Sequence, residues 1–409
     1  MKCRHCQTEL EHVFLDLGYA PPSNAYLSEA QLQAPEVTFP LKLYVCHHCW
    51  LVQTIDYAEA DQLFTNDYAY FSSTSKGWLK HAANYVDQIT NRLQLNEQSF
   101  VIEVASNDGY LLKNFVAKKI PCLGIEPTDS TAEAAEQLGI PVWRKFFGIE
   151  TANALIEEGK QADLICGNNV YAHVPDINDF TVGLRMALKP GGTVNLEFPH
   201  LLQLIDKKQF DTVYHEHFSY LSLTSVSKVF AHAGLRIFDI EELSTHGGSL
   251  RVYGCHADDP RPVSSAVTAM QAREQSFGLL NLTTYTSFQA KADKVKNDFV
   301  AFLIEQKRAG KSVAAYGAAA KGNTLMNYAG IKHDLINFIC DAAPSKQNKF
   351  MPGSHIPIFQ PTELSARKPD WVIILPWNIS DEVTEQEKAV FTWGGRFITV
   401  VPELKILEG

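Results

Sequence analysis

The chain has 409 residues, 45% of them hydrophobic and 20% charged, with 36 Lys and Arg against 46 Asp and Glu. At about 150 residues per domain this allows two or three domains, and 24 Gly with 19 Pro exclude collagen-like or low-complexity organisation. The net charge of −10 argues against nucleic acid as a partner, because that affinity is mostly cationic neutralisation of phosphates.

No stretch approaches the ~20 apolar residues that span a bilayer; the longest apolar runs, such as Trp371 to Leu375, have strand length. The N-terminus reads Met-Lys-Cys-Arg-His-Cys, without an apolar signal core. A cytoplasmic protein with no membrane partner is therefore expected. Cytosolic thiols stay reduced, so the eight cysteines are not read as a disulfide framework.

Four cysteines are paired, as Cys3-x-x-Cys6 and Cys46-x-x-Cys49; Cys122, Cys166, Cys255 and Cys340 stand alone. Each pair can form a knuckle that points two thiolates at one centre, and two knuckles close a tetrahedral zinc shell. A closed shell has no position for water, so such a zinc is structural. A redox or incidental CxxC is the rival reading. His5, His47 and His48 lie in the knuckles, but four cysteines already fill the shell. Residues 7 to 70 suggest a small zinc-stapled domain of few strands, since so short a module buries little core.

A helical pattern from Tyr85 to Leu95 precedes an apolar strand, Phe100 to Val104. Ala105, Ser106, Asn107, Asp108 and Gly109 form a small-residue turn, and a helix starts at Tyr110. A second strand from Cys122 ends in the acid Glu126. Small residues after the first strand let a ligand approach the backbone at a helix N-terminus. An acid ending the second strand can accept hydrogen bonds from two ribose hydroxyls. The glycine fingerprint of dinucleotide sites is absent, which disfavours NAD and favours S-adenosylmethionine (SAM). Glu103 then faces the cationic methionine end. A third strand, Ala162 to Asn168, leads to Asn169 and His173. Leu188-Lys-Pro-Gly-Gly reads as a helix end and turn before a strand that ends Glu197-Phe-Pro.

Tyr214-His-Glu-His-Phe-Ser-Tyr220 gathers two histidines, a glutamate and two tyrosines in seven residues. It can be a metal site, a satisfied core, or acid–base machinery. Imidazole titrates near neutral pH and can take a carbon-bound proton made acidic by a carbonyl. Residues 257 to 310 carry Pro and then a long helical stretch. Val313 to Tyr316, the turn through Lys321, and the strand Phe338 to Asp341 make a second strand–turn–acid unit, with Trp371 to Leu375 a further strand.

Over nearly its whole length the chain resembles the sugar C-methyltransferases of deoxysugar and antibiotic-sugar biosynthesis. The resemblance rests on the CxxC pairs, Tyr68-Ala-Tyr70-Phe-Ser-Ser-Thr-Ser and Glu103-Val-Ala-Ser-Asn-Asp-Gly. It rests also on Glu197-Phe-Pro, the Tyr214 to Tyr220 motif, His246-Gly-Gly-Ser-Leu-Arg251-Val-Tyr and Tyr316-Gly-Ala-Ala-Ala-Lys321-Gly-Asn-Thr. It implies an α/β protein of three parts: a zinc-binding domain (1–70), a Rossmann-like SAM-binding domain (71–255) and a Rossmann-like nucleotide-sugar-binding domain (256–409). It implies methyl transfer to a carbon beside the ketone of a nucleotide-linked 4-keto-6-deoxysugar of dTDP or GDP type, at C3 in preference to C5. His217 becomes the base, with Tyr214, Glu216, His173 and one of Tyr68 and Tyr70 lining the site. Glu103, residues Ala105 to Gly109, Glu126 and Asn168 become the SAM site. Asn169, Lys321, Gly322 and Arg251 become substrate contacts, with the N–H groups from Ala318 to Gly322 cradling the pyrophosphate; a structural pairing of Arg251 with a carboxylate is the alternative. Ala105 and Asn107 stand where many methyltransferases have glycines. An NAD-dependent nucleotide-sugar enzyme, a methyltransferase acting on oxygen or nitrogen, and a zinc-containing binding module are the rival functions.

Overall fold

The computed structural model describes residues 1–55 and 71–408; Tyr68 and Tyr70 lie outside the described residues. The chain opens with three strands, β1 (His12–Ala20), β2 (Phe39–Val45) and β3 (Val52–Thr54). Leu41, Leu43 and Val45 alternate inward along β2, the period of two that a half-buried strand imposes.

The central region carries β4 (Val101–Val104), β5 (Cys122–Ile125), β6 (Val142–Trp143), β7 (Ala162–Asn168), β8 (Leu188–Pro199), β9 (Ser219–Tyr220), β10 (Leu235–Leu243) and β11 (Ser249–His256). Seven of these form one sheet in the order β10-β11-β8-β7-β4-β5-β6. The run from β8 to β6 is parallel, and β11 and β10 are antiparallel. Every residue of β4 and β5 is buried, as expected of strands covered on both faces. β4 sits between β5 and β7, so the strand order reverses there. A crevice opens at the carboxyl ends of such a pair.

The last region repeats the device. β12 (Val313–Tyr316), β13 (Ile339–Cys340), β14 (Ile358–Phe359), β15 (Trp371–Ile374), β16 (Arg396–Thr399) and β17 (Lys405–Leu407) run in the order β14-β13-β12-β15-β16-β17. Its switch point lies between β12 and β15. The helix Phe288–Arg308 sits between this sheet and the N-terminal strands in one apolar core. Phe14 of β1 stacks on Phe288 with ring centroids 4.9 Å apart, and burial of such a side chain stabilises by about 1.5–3 kcal/mol.

β9 leaves its own region. It pairs with β3, giving a four-stranded sheet β1-β2-β3-β9. Ser219 and Tyr220, the end of the Tyr214 to Tyr220 motif, are thereby hydrogen-bonded into the N-terminal module.

Two local expectations shift. The helix read from Tyr85 begins at Lys76, because the Ser75 side chain accepts the Trp78 N–H and caps it. The Leu188 to Gly192 turn lies inside β8: Ala162 faces Leu188 and Leu164 faces Thr193, so residues between them bulge out of register.

Arg251 is a correction. It is 1% exposed in the middle of β11, where it pairs with Glu197 at 2.7 Å and Glu241 at 2.9 Å and lies over the Tyr85 ring. Glu197 also holds His81 at 2.9 Å and the Thr245 hydroxyl at 2.8 Å. Burial raises the Glu197 pKa, but the His81 hydrogen bond and the Arg251 charge outweigh it and hold the carboxyl at about 2. Arg251 therefore neutralises a buried acid instead of reaching substrate. Arg251→Met leaves that acid uncompensated, and urea unfolding should show a loss of about 3–5 kcal/mol. Adding Glu197→Gln should restore part of the loss; a single variant as stable as wild type would refute the assignment.

Candidate active site and zinc centre

The two knuckles have matching backbones. Gln7 N–H returns to the Cys3 carbonyl and Trp50 N–H to the Cys46 carbonyl. Gln7 and Trp50, each four residues past the first cysteine, take φ of 61° and 66°. The four sulfurs lie within 4.8 Å of one another, with Cys3 and Cys49, and Cys6 and Cys46, 3.5 Å apart. A tetrahedral zinc with bonds of ~2.3 Å separates its sulfurs by about 3.8 Å, so the cluster fits the metal. β1 and β2 occupy the chain between the knuckles, which explains their long spacing. Gln53 supports the shell: its Nε2 donates to Cys3 Sγ at 3.2 Å, while its Oε1 accepts Arg4 N–H at 2.8 Å. His5 turns away, its Nδ1 2.8 Å from Asn178 Oδ1.

At the first switch point Glu103, the last residue but one of β4, is fully buried, and neither carboxyl oxygen has a hydrogen-bond partner among the described residues. Burial, then the Glu126 and Asp108 charges, raise its pKa well above the usual range. A buried carboxyl in that condition is neutral until a cation arrives to pair with it. Glu126 accepts Asn107 N–H at 2.8 Å and Thr128 N–H at 3.0 Å. A carboxylate has about four acceptor sites, so these two bonds leave acceptor capacity for hydroxyl donors. Ala105 and Asn107 take φ of 55° and 49°, doing without glycine what the turn requires. Gly109 cannot be replaced so, since a Cβ there would lie 2.5 Å from Ile140 Cδ1. Ser72 N–H and Ser73 N–H donate to Asn107 Oδ1 and Asp108 Oδ2, tying the segment that leads into the helix Lys76–Leu93 to the turn. Asn168 ends β7 beside this crevice.

The histidine loop stands next to it. Tyr214 N–H donates to the Tyr220 hydroxyl at 3.1 Å, and His217 N–H to the Tyr214 carbonyl at 3.2 Å, closing the loop on itself. The His217 ring is 4.5 Å from that of His173 and 4.8 Å from that of Tyr214. Burial, then the nearby His173 and His246, hold the His217 pKa well below the ordinary value. His173 Nδ1 lies 2.9 Å from the Glu216 carbonyl and burial lowers its pKa to about 4. Burial pushes Glu216 up to about 6, opposed by Asn24, whose Nδ2 lies 3.1 and 3.3 Å from its two oxygens. His215 points elsewhere, with Nε2 3.2 Å from the Phe39 carbonyl. The motif thus gathers no His–Glu metal set; among the described residues the four cysteines are the metal-ligand cluster.

Several site residues carried no role in the sequence. Asn24 sits in Pro-Pro-Ser-Asn, a turn signal with nothing to tie it to Glu216. His246, at φ 53°, sets its Nε2 2.9 Å from Asn169 Nδ2 and packs on Trp78. Trp78 also stacks on Tyr110, directly after the Ala105 to Gly109 turn.

At the second switch point Lys321 Nζ donates to Asn378 Oδ1 at 2.5 Å and lies 4.5 Å over the Trp377 ring. Trp377 Nε1 donates to the buried Asp211 at 2.7 Å. The backbone cradle is shorter than expected: Ala318 N–H goes to Asp341 Oδ2 at 2.7 Å and Ala319 N–H to the Gly317 carbonyl. Gly322 is a packing glycine, because a Cβ would stand 2.7 Å from Leu375 Cδ1.

Three family models match in order: a zinc binding domain over residues 3–64, a methyltransferase domain over 78–240, and a C-methyltransferase C-terminal domain over 244–402. The C-methyltransferase NovU of Streptomyces niveus is 33% identical over 407 residues, spanning 100% of this chain and 97% of its own. Among solved structures, a SAM-dependent methyltransferase from Clostridium acetobutylicum matches with a TM-score of 0.35 and 12% identity, over 43% of this chain and 91% of its own. Magnesium protoporphyrin IX methyltransferase from Synechocystis matches with a TM-score of 0.35 and 14% identity, over 44% and 83%. At that level the structural likenesses carry no argument; the family models and the full-length relative do. No helix among the described residues is long and apolar enough to cross a membrane.

Elemental analysis of the purified chain should find about one zinc. Cys49→Ser should lose it and lower the melting temperature, because binding to such a shell is folding free energy. A metal-free chain with the wild-type melting temperature would refute the zinc centre.

Proposed function

The chain belongs to the SAM-dependent C-methyltransferases, and on that premise we propose that it methylates a nucleotide-linked 4-keto-6-deoxysugar, of dTDP or GDP type, at the carbon alpha to the ketone. C3 is preferred over C5. The division into 1–70, 71–255 and 256–409 is part of the same reading. One observation carries it: the buried His217 ring packs 4.5 Å from that of His173 and 4.8 Å from that of Tyr214, in a chain whose two switch points present a buried carboxyl, Glu103, and a lysine, Lys321.

The 4-keto group makes the neighbouring C–H acidic, so the chemistry needs a neutral base and a partner for the developing oxyanion. His217 takes the proton, and the C–H electron pair delocalises onto the ketone oxygen. Tyr214 donates to that oxygen; burial keeps its hydroxyl protonated, with a pKa well above the usual value. When bound, SAM supplies the methyl carbon, whose S–C electron pair returns to sulfur as the carbon–carbon bond forms. Glu216 and His173 orient the base. Lys321 and the first-turn N–H groups of residues 320–322, the donors a helix leaves unpaired, face the pyrophosphate. Glu103 meets the methionine ammonium. Transfer to oxygen or nitrogen needs no carbon base, so the buried imidazole pair favours carbon.

Zinc-loaded protein is incubated with labelled SAM and a dTDP-4-keto-6-deoxyhexose, and the methylated carbon is read by NMR. His217→Asn should cut turnover by about 10²–10⁴ while keeping affinity for S-adenosylhomocysteine; wild-type turnover in that variant would remove His217 from the mechanism. Because the folded His217 pKa lies below about 6.5, the base is already neutral at that pH. Turnover should therefore stay level from about pH 8 down to 6.5 and fall only at lower pH, where Glu216 and Asp211, both at about 6, also protonate. An acid limb above pH 7 would contradict this.

A further inference from the structure

Arg4 lies between two zinc ligands, Cys3 and Cys6, and its backbone is fixed there by the Gln53 side chain. Its guanidinium reaches away from the cysteines toward the histidine loop. NH1 donates to the Pro175 carbonyl at 2.6 Å and NH2 to the Thr54 carbonyl at 3.0 Å. The Phe218 ring lies 5.4 Å from the same group. Each contact is next to a site histidine. Pro175 is two residues past His173. Phe218 follows His217. Thr54 N–H donates to the Phe218 carbonyl at 3.1 Å, and the Thr54 hydroxyl donates to the His217 carbonyl at 3.4 Å. Asn178 adds a second tie on the His173 side, its Nδ2 donating to the His5 carbonyl at 2.9 Å. Asn178 stands in the first turn of the helix Ile177–Ala187, which follows His173 directly.

We propose that Arg4 is a positioning residue: carried on the zinc knuckle, it fixes the His173 segment against the His217 strand and so sets the approach of the two imidazoles. A planar guanidinium offers five donors in a rigid fork, which suits one side chain bridging two carbonyls from separate segments. A lysine concentrates its three donors at one point on a flexible stem and lacks the fixed fork that spans the two carbonyls. The zinc then does more than staple a small domain. It holds the Cα from which the fork projects, and Gln53 links Cys3 Sγ to the strand that pairs with Ser219. The kinetic consequence rests on His217 being the base; the geometric one does not.

The test uses the zinc-loaded full chain as wild type, Arg4→Met and Arg4→Lys. In protein labelled with ¹⁵N-histidine, the imidazole resonances of His173 and His217 are assigned from the His173→Asn and His217→Asn spectra. In Arg4→Met these two should shift while His256, which contacts the Leu188 carbonyl far along β11, stays in place. Zinc content and affinity for S-adenosylhomocysteine should match wild type. With the keto-sugar, kcat should fall about 10- to 100-fold with the KM for SAM unchanged, the scale of a small misplacement of reacting groups. Arg4→Lys should lie between. Unmoved His173 and His217 resonances in Arg4→Met would overturn the proposal. So would zinc loss with a shift of every histidine in both variants, which would make Arg4 merely structural. If wild type fails to methylate the sugar, the proposed function falls, and the resonances still judge Arg4.

Discussion

Two ladder pairs, Val52 with Tyr220 and Gln53 with Ser219, hold the loop that carries His217 against the zinc-bound module. Ordering the seven residues from Tyr214 to Tyr220 costs about 7–14 kcal/mol of backbone entropy. The internal bonds of the loop number few, and each contributes only about 0.5–1.5 kcal/mol net. The loop therefore cannot order itself. Its anchors come from outside: β3 on one side, and on the other the Thr324 hydroxyl, which donates to the Val213 carbonyl at 2.8 Å from the C-terminal region. A histidine loop clamped by both flanking modules explains why residues from all three parts of the chain meet at one place.

The two switch points solve one problem in the same way and then diverge in charge. Glu126 accepts the N–H of Asn107 and of Thr128; Asp341 accepts the N–H of Ala318 and of Ala343. In each unit the acid that ends the second strand clips the turn after the first strand and its own backbone two residues on. The turns are thereby held open without a run of glycines. The first crevice then presents an unpaired buried carboxyl, Glu103, and the second an ammonium, Lys321. SAM is a sulfonium with an ammonium, and a nucleotide diphosphate is an anion. On the proposed reading each crevice carries the charge that its ligand lacks, and like-charge repulsion keeps the two ligands from exchanging places.

What the sequence made legible was what depends on neighbours along the chain. The CxxC knuckles, the strand–turn–acid units and the long helix into Arg308 are local patterns with local causes. What it hid depends on partners far away. Asn24 and Glu216 are 192 residues apart, and nothing near either one marks the contact. Arg251 sits in a motif beside a glycine turn, which suggested a ligand contact or else a structural pairing with a carboxylate; the sheet order decides for the second and supplies the partner, Glu197. His215 and His217 look equivalent in the motif, yet the turn between Tyr214 and His217 sends one ring to Phe39 and the other to His173. Tyr68 and Tyr70 lie outside the described residues, so the choice between them is still that of the sequence.

On the proposed reading, in which His217 is the base, its burial works in two directions. It weakens the imidazole as a base, because the charged form loses its solvation. The same low-polarity surroundings strengthen any hydrogen bond to the enolate oxygen formed when the proton leaves. The loss and the gain arise together, at the two ends of one proton transfer. The neighbouring His173 adds to this balance. Its Nδ1 faces the Glu216 carbonyl, and a ring nitrogen against a carbonyl must be the protonated one. Both rings lie in a pocket where burial disfavours an imidazolium. A base so placed holds its proton weakly, and that suits a residue that must return to neutrality before each turnover.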